Sequence, residues 1–178
     1  DDVLVVFDEA YVEICPAKTP DTLKYVREGR NVIVLRTFSK AYGLAGLRVG
    51  YGLSTSDVIC SLEKPRQPFN LNAMSQAAAI AALDDDAFVR RVTRQFRRSA
   101  KDIIAYCKDA GLEYVEPAAN FMLIKVGDGM KVFAELQKLG VIVRPLVPYK
   151  MPEWIRVSFG TDAENAKFIS AMKAVVKK

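Results

Sequence analysis

Lys40 lies in Thr37-Phe38-Ser39-Lys40, just after the apolar run Val32-Ile33-Val34-Leu35, and Arg48 follows eight residues later. An amine that is to bond an aldehyde carbon needs a lowered pKa and a partly dry setting. Hydroxyls at positions 37 and 39 and a guanidinium at 48 are donors suited to a phosphate dianion. The ordinary alternative for a loop lysine is a solvated cation, and this company of donors sets Lys40 apart from it. Asp8 closes a second apolar run, Val3-Leu4-Val5-Val6-Phe7, and is followed by Glu9-Ala10-Tyr11. An aspartate at such a place ordinarily caps a turn. In open parallel sheets, however, ligands gather beyond the carboxyl ends of the strands. Asp8 and Lys40 both occupy such ends, so they are expected to face one crevice.

Other chemistries are excluded or weakened by what the chain lacks. There is no histidine, which removes Ser-His-Asp and Cys-His catalysis and most zinc sites. Cys15, Cys60 and Cys107 are far apart and odd in number, with neither a disulfide framework nor zinc spacing; a reducing, cytoplasmic setting is expected. The net charge of +5 is mild. Arg90, Arg91, Arg94, Arg97, Arg98 and Lys101 cluster, but no aromatics interleave with them, so a solvated helix face is expected rather than a nucleic-acid surface. No membrane segment is seen. Gly43 and Gly46 form neither a P-loop nor a dinucleotide fingerprint.

The run Thr37-Phe38-Ser39-Lys40-Ala41-Tyr42-Gly43-Leu44-Ala45-Gly46-Leu47-Arg48-Val49-Gly50-Tyr51 resembles the lysine signature of the fold-type I aminotransferases that use pyridoxal 5'-phosphate (PLP). Its Gly-Leu-Ala-Gly-Leu-Arg stretch is most similar to the histidinol-phosphate branch. The resemblance implies that Lys40 holds the cofactor as a Schiff base and later moves the substrate proton, and that Thr37, Ser39 and Arg48 bind its phosphate. Asp8-Glu9-Ala10-Tyr11 is similar to the family's second signature. There the aspartate pairs with the pyridine nitrogen and Tyr11 would donate to the ring's phenolic oxygen. Trp154 to Thr161 resembles the substrate-anchoring signature, so Arg156 would grip the substrate phosphate, helped by Arg144 from Val141-Ile142-Val143-Arg144-Pro145-Leu146. Two arginines suit a dianion better than a carboxylate. Without the resemblance, a strand arginine ordinarily carries its head to solvent. Asn120 would support the substrate, and Tyr149 has no assigned role.

The reaction implied is amino transfer from L-histidinol phosphate to 2-oxoglutarate, giving imidazole-acetol phosphate and glutamate in histidine biosynthesis, by a homodimer. Aromatic amino-acid transamination, threonine-phosphate decarboxylation and an inactive scaffold remain alternatives. The resemblance is to the C-terminal half of such enzymes. The opening Asp1-Asp2, without a leader or an initiator Met, reads as the middle of a protein.

These residues need elements to hold them. The apolar runs predict two strands buried on both faces, Val3–Phe7 and Asn31–Arg36, with a third over Val49–Leu53. Helices are predicted over Asp21–Glu28, Ser56–Glu63 and Asn72–Leu83, the last Ala-rich and buried. Asp84-Asp85-Asp86 opens a long helix whose face runs through Val89, Val92, Phe96, Ser99, Ile103 and Tyr106 at steps of three and four, ending at Gly111. Beyond it, strands are expected at Leu112–Val115, Phe121–Val126, Val141–Val143 and Ile155–Phe159. A helix is expected at Lys131–Leu139, and a final one capped by Asp162 runs to the C-terminus. The fold class is therefore α/β. The resemblance implies part of a PLP-transferase large-domain three-layer sandwich over residues 1–83 and a small α+β domain over 84–178. Alone, the first part would leave sheet edges and apolar surface uncovered, with self-association or altered packing expected.

Overall fold

Three strands carry the first set of candidate residues: β1 (Val5–Asp8), β2 (Val32–Thr37) and β3 (Gly50–Ser54), in the order β1-β2-β3. β1 and β2 run parallel with Asp8 opposite Leu35, and β2 and β3 run antiparallel with Thr37 opposite Gly50. A parallel pair needs a crossover, and the connection includes the short helix α1 (Leu23–Arg27). Helices α2 (Ser56–Glu63) and α3 (Ala73–Leu83) follow. Asn72 caps α3 by accepting the Ser75 N–H at 2.8 Å. The computed structural model describes residues 3–15 and 19–176; Asp1-Asp2 and the last two lysines of the expected final helix lie outside them. By chain contacts the molecule divides into two compact units, Asp1–Arg91 and Val92–Lys178.

The second unit is organised by a fully antiparallel sheet of β4 (Tyr114–Val115), β5 (Phe121–Lys125), β6 (Arg144–Leu146) and β7 (Met151–Ser158), in the order β4-β5-β7-β6. Side chains alternate faces along a strand, so Met122 and Ile124 of β5 fall on the buried side with Ile155 and Val157 of β7. Three helices seal that face. The long helix α4 (Asp86–Ala110) supplies Ile103, Tyr106 and Cys107, α5 (Gly129–Lys138) supplies Val132 and Leu136, and α6 (Asp162–Val175) supplies Phe168, Ala171 and Met172. Full burial of one such aliphatic side chain stabilises by about 1.5–3 kcal/mol. A buried polar stitch sits among them. Asn165 donates to the Ser99 hydroxyl at 2.7 Å and to the Gly160 carbonyl at 3.2 Å, and accepts the Gly160 N–H at 3.0 Å.

Several sequence-based expectations need correction. β1 is not buried on both faces: Val5 and Val6 are 43% and 54% exposed, because β2 is its partner on one side and none lies on the other among the described residues. Helix α3 is not buried as a whole. Ser75 and Ala79 face inward while Met74, Ile80 and Leu83 stand in solvent, since an Ala-rich stripe covers a neighbour without being enclosed itself. Residues 141–143 are irregular and the strand comes just after them, at Arg144–Leu146, although Val141 and Val143 are buried. The final helix is capped by Thr161 rather than Asp162. Its hydroxyl accepts the Glu164 N–H while the Glu164 carboxylate accepts the Thr161 N–H at 2.7 Å, the reciprocal Thr-x-x-Glu box.

Candidate active site

At the carboxyl end of β1 the Asp8 carboxylate accepts the Ala10 N–H at 3.1 Å and is otherwise turned outward. This is the turn-capping role expected of an aspartate here, and it still leaves the carboxylate open to a ligand. Glu9 N–H donates to the Leu35 carbonyl at 2.9 Å, extending the β1–β2 ladder by one rung. The chain then turns through Tyr11 to the buried Ile14.

The end of β2 is held more tightly. Thr37 Oγ1 accepts the Ser39 N–H at 3.1 Å. Phe38 and Ala41 are buried on either side of Ser39-Lys40, and the Phe38 ring packs against Tyr42 and Tyr51 at 4.9 and 5.5 Å. Two loop hydrogen bonds, Gly43 N–H to the Lys40 carbonyl at 3.1 Å and Leu44 N–H to the Phe38 carbonyl at 2.9 Å, wrap the backbone around this anchor. The lysine between the anchors places its Nζ 5.3 Å from the centre of the Tyr11 ring. Lys40 and Tyr11, expected from the sequence to share a site, are therefore together. Arg48 ends a single 3-10 turn, Ala45–Leu47, in the left-handed conformation at φ 52°. One of its guanidinium nitrogens donates to the Ala45 carbonyl at 2.7 Å and its head is exposed. Gly50, opposite Thr37, is a close approach: a Cβ there would meet the Arg36 carbonyl oxygen at 2.8 Å.

A charged cluster beside these residues was not anticipated. Arg36 donates from Nε to Glu9 Oε2 at 2.9 Å and pairs through Nη2 with the same oxygen at 2.9 Å, while the Thr22 hydroxyl donates to Glu9 Oε1. Burial pushes the Glu13 carboxyl up, against hydrogen bonding by its own backbone and the opposing pull of Arg36. Burial likewise raises the Tyr42 hydroxyl, with Glu13 adding to it. The sequence places Glu9 next to Asp8 and Arg36 next to Thr37, and the parallel register of β1 and β2 is what brings the two charges together.

In the second unit Arg144 and Arg156 are direct cross-strand partners of β6 and β7. Residues opposite each other on neighbouring strands project from the same face. Both line a cavity of about 680 Å³ whose wall includes Gly140, Ser158 and Lys167. The Arg156 guanidinium lies 4.9 Å from the Phe121 ring centre, and its Nε is buried without a hydrogen-bond partner. Arg144 is exposed, 5.9 Å from the Tyr149 ring. A buried donor left unpaired costs about 1–3 kcal/mol, a cost that an incoming acceptor would relieve. Asn120 gives its carbonyl to the Phe159 N–H at 2.9 Å, continuing the β5–β7 ladder, which is a backbone role.

The sequence profile of aminotransferase class I and II matches residues 1–172. The chain belongs to this aminotransferase family. Among curated members, it is 53% identical over 174 residues to the histidinol-phosphate aminotransferase of Akkermansia muciniphila, covering 98% of this chain and 48% of that one. It is 48% identical over 173 residues to histidinol-phosphate aminotransferase 1 of Dechloromonas aromatica, covering 97% and 48%. The chain thus spans about half the length of the curated aminotransferases it matches. Among solved aminotransferases, histidinol-phosphate aminotransferase from Sinorhizobium meliloti in complex with pyridoxal-5'-phosphate superposes with a TM-score of 0.87 at 34% identity, over 97% of this chain and 48% of that one. Thermus thermophilus aspartate aminotransferase, at 22% identity and TM-score 0.84 over 98% and 51%, shares the fold. The fold is that of the fold-type I aminotransferases, of mixed α/β class.

Proposed function

We propose that this chain carries the cofactor lysine and the substrate-anchoring arginines of a PLP-dependent aminotransferase. It would act on L-histidinol phosphate with 2-oxoglutarate as amino acceptor, in a cytoplasmic homodimer. The observation that carries the choice of a phosphorylated substrate is the buried, unpartnered Nε of Arg156 beside its strand partner Arg144. A guanidinium presents a planar fork of donors, which a phosphate dianion can fill. The histidinol-phosphate aminotransferases named above support the same substrate.

The first unit fits PLP by the chemistry of its donors. Lys40 offers an amine with no carboxylate partner among the described residues. Thr37, Ser39 and the exposed Arg48 offer hydroxyl and guanidinium groups for its phosphate, and the outward-facing Asp8 carboxylate suits a pyridinium N–H. When bound, PLP supplies an electron sink for the substrate carbon that bears the amine. Lys40 Nζ takes the proton from that carbon and returns it, as general base and then general acid. Asp8, by its charge, and Tyr11, by its hydroxyl, would help hold PLP, with Asp8 favouring the protonated form of the ring. Arg144 and Arg156 hold the substrate phosphate.

The chain mixed with PLP, reduced with borohydride and mapped by peptide mass is expected to carry one adduct, on Lys40, which Lys40→Ala abolishes. Labelling scattered over surface lysines would remove the cofactor assignment. Arg156→Ala is expected to weaken binding of L-histidinol phosphate at least about tenfold, the loss of one charged hydrogen-bonding group, with PLP affinity unchanged. Equal binding would take Arg156 out of the anchor role. Carbon dioxide release from threonine phosphate, with no need for an oxo acid, would favour the decarboxylase instead.

A further inference from the structure

The ends of β1 and β2 each carry a charge that neither the lysine nor the cofactor contacts assigned above use. Glu9 directly follows Asp8, and Arg36 directly precedes Thr37. Both Arg36 nitrogens reach the same Glu9 oxygen at 2.9 Å, and the other Glu9 oxygen accepts from Thr22. The pair is largely enclosed, with the Arg36 and Glu9 side chains 24% and 12% exposed. Arg36 is also backed by Tyr51, its cross-strand partner on β3. An enclosed, two-pronged pair with a third partner is unlike the loose surface pairs that contribute little. It ties the turn that carries Tyr11 to the loop that carries Lys40, two segments that, among the described residues, backbone bonding joins no further than the Glu9–Leu35 rung.

We propose that the Glu9–Arg36 ion pair is a positioning device that sets Lys40 Nζ against the Tyr11 ring by fixing the turn after β1 to the loop after β2. Its consequence for catalysis rests on the reading of Lys40 as the cofactor lysine. Glu9 and Arg36 act through Lys40 and Tyr11 and touch no substrate. The groups facing the pair from neighbouring elements are Thr22, Tyr51 and Glu13. Glu13 and Tyr42 also feel the guanidinium, and burial favours the neutral form of each, so they compete weakly for Arg36.

The test uses two preparations of the 178-residue chain: one with its lysines reductively ¹³C-dimethylated, for the resonance, and one unmethylated, whose Lys40 primary amine can still condense with PLP, for the affinity. An amine over an aromatic face is displaced upfield by the ring current, so Lys40 is expected to stand apart from the solvated lysines, and Tyr11→Leu should return it to them. Glu9→Gln and Arg36→Lys remove one charge and the fork respectively. Glu9→Gln/Arg36→Met removes both charges and so leaves no unpaired ion behind. Far-UV circular dichroism and the melting temperature report whether each remains folded. In folded Glu9→Gln and Glu9→Gln/Arg36→Met the Lys40 resonance should move to the solvated position and the PLP affinity of the unmethylated chain should fall at least tenfold, while Arg36→Lys, which keeps one charge, should lose less. A Lys40 resonance unchanged in the folded double variant overturns the proposal, as does a displaced resonance with PLP affinity within twofold of the parent. If the parent chain takes no PLP on Lys40, the cofactor reading fails, and the resonance alone decides whether the pair positions the lysine.

Discussion

In Val92–Lys178, the inner strands β5 and β7 lie under three helices, and Met122, Ile124, Ile155 and Met172 are sealed. In Asp1–Arg91, the buried cluster around the lysine loop is Phe38, Val49 and Ala79, and the strand that delivers Asp8 leaves Val5 and Val6 in solvent. The closed unit holds its arginine pair on a four-stranded sheet. The open unit holds its lysine by local devices: buried anchors on either side, a hydroxyl turn and one ion pair. The contrast teaches that a candidate site can be organised beside an exposed edge strand, provided the strand that carries it is buried, as Val32, Ile33 and Val34 of β2 are, and the loop after it is held by its own contacts.

Truncations should separate the two most sharply. Ile155→Ala, fully buried between Ile124 and Pro145, is expected to cost about 2–5 kcal/mol by the lost burial and the cavity left. Val6→Ala should stay within about 0.5 kcal/mol. Urea unfolding measures both, and a Val6 cost approaching that at Ile155 would show the β1 face to be covered in solution. A smaller effect, about 1 kcal/mol, is expected from Thr161→Ala, which removes the capping box of α6; an unchanged urea midpoint would mean that packing alone sets that helix start.

The smallest effect lies in pH dependence, where the units should run in opposite directions. Burial raises Glu13 in the folded first unit, so its contribution is full below the usual carboxylate range and is lost as pH rises through its raised value. Glu13→Gln should flatten that loss between mildly acidic and neutral pH. The backbone N–H of Thr161, and then its hydroxyl, lower Glu164 in the second unit, so its contribution is present above the usual range and fades as pH falls through the lowered value. Melting temperatures of Glu13→Gln and Glu164→Gln, compared with the parent from strongly acidic pH, below the usual carboxylate range, up to neutral pH, would show whether the two slopes have opposite sign.

Element types were readable where pattern and punctuation agreed. The stepped face of α4, the stop at Gly111 and the apolar run of β2 gave both type and place. What the sequence could not report was coverage. A β-branched run says that a strand is suited to burial, and Val5 and Val6 show that suitability is not enclosure. It also hid competition between neighbours. Val141–Val143 has strand propensity, yet β7 pairs with Arg144–Leu146, and the buried valines serve the core from an irregular segment. At the candidate site, strand-end logic singled out Asp8 and Lys40 and the family resemblance added Tyr11, whose ring the structure sets 5.3 Å from Lys40 Nζ. The Glu9–Arg36 pair did not, because two charges 27 residues apart signal nothing until the parallel register of β1 and β2 sets them side by side.

Gly50 deserves a last consequence. It lies opposite Thr37, where a single methyl group would press on the Arg36 carbonyl at 2.8 Å. The backbone segment displaced by that methyl is the one that leads directly to the lysine loop. Mutational tolerance around the site is therefore uneven in an unexpected way: one of its least replaceable positions carries no side chain at all, and evolution can keep the lysine in place there only by keeping space empty.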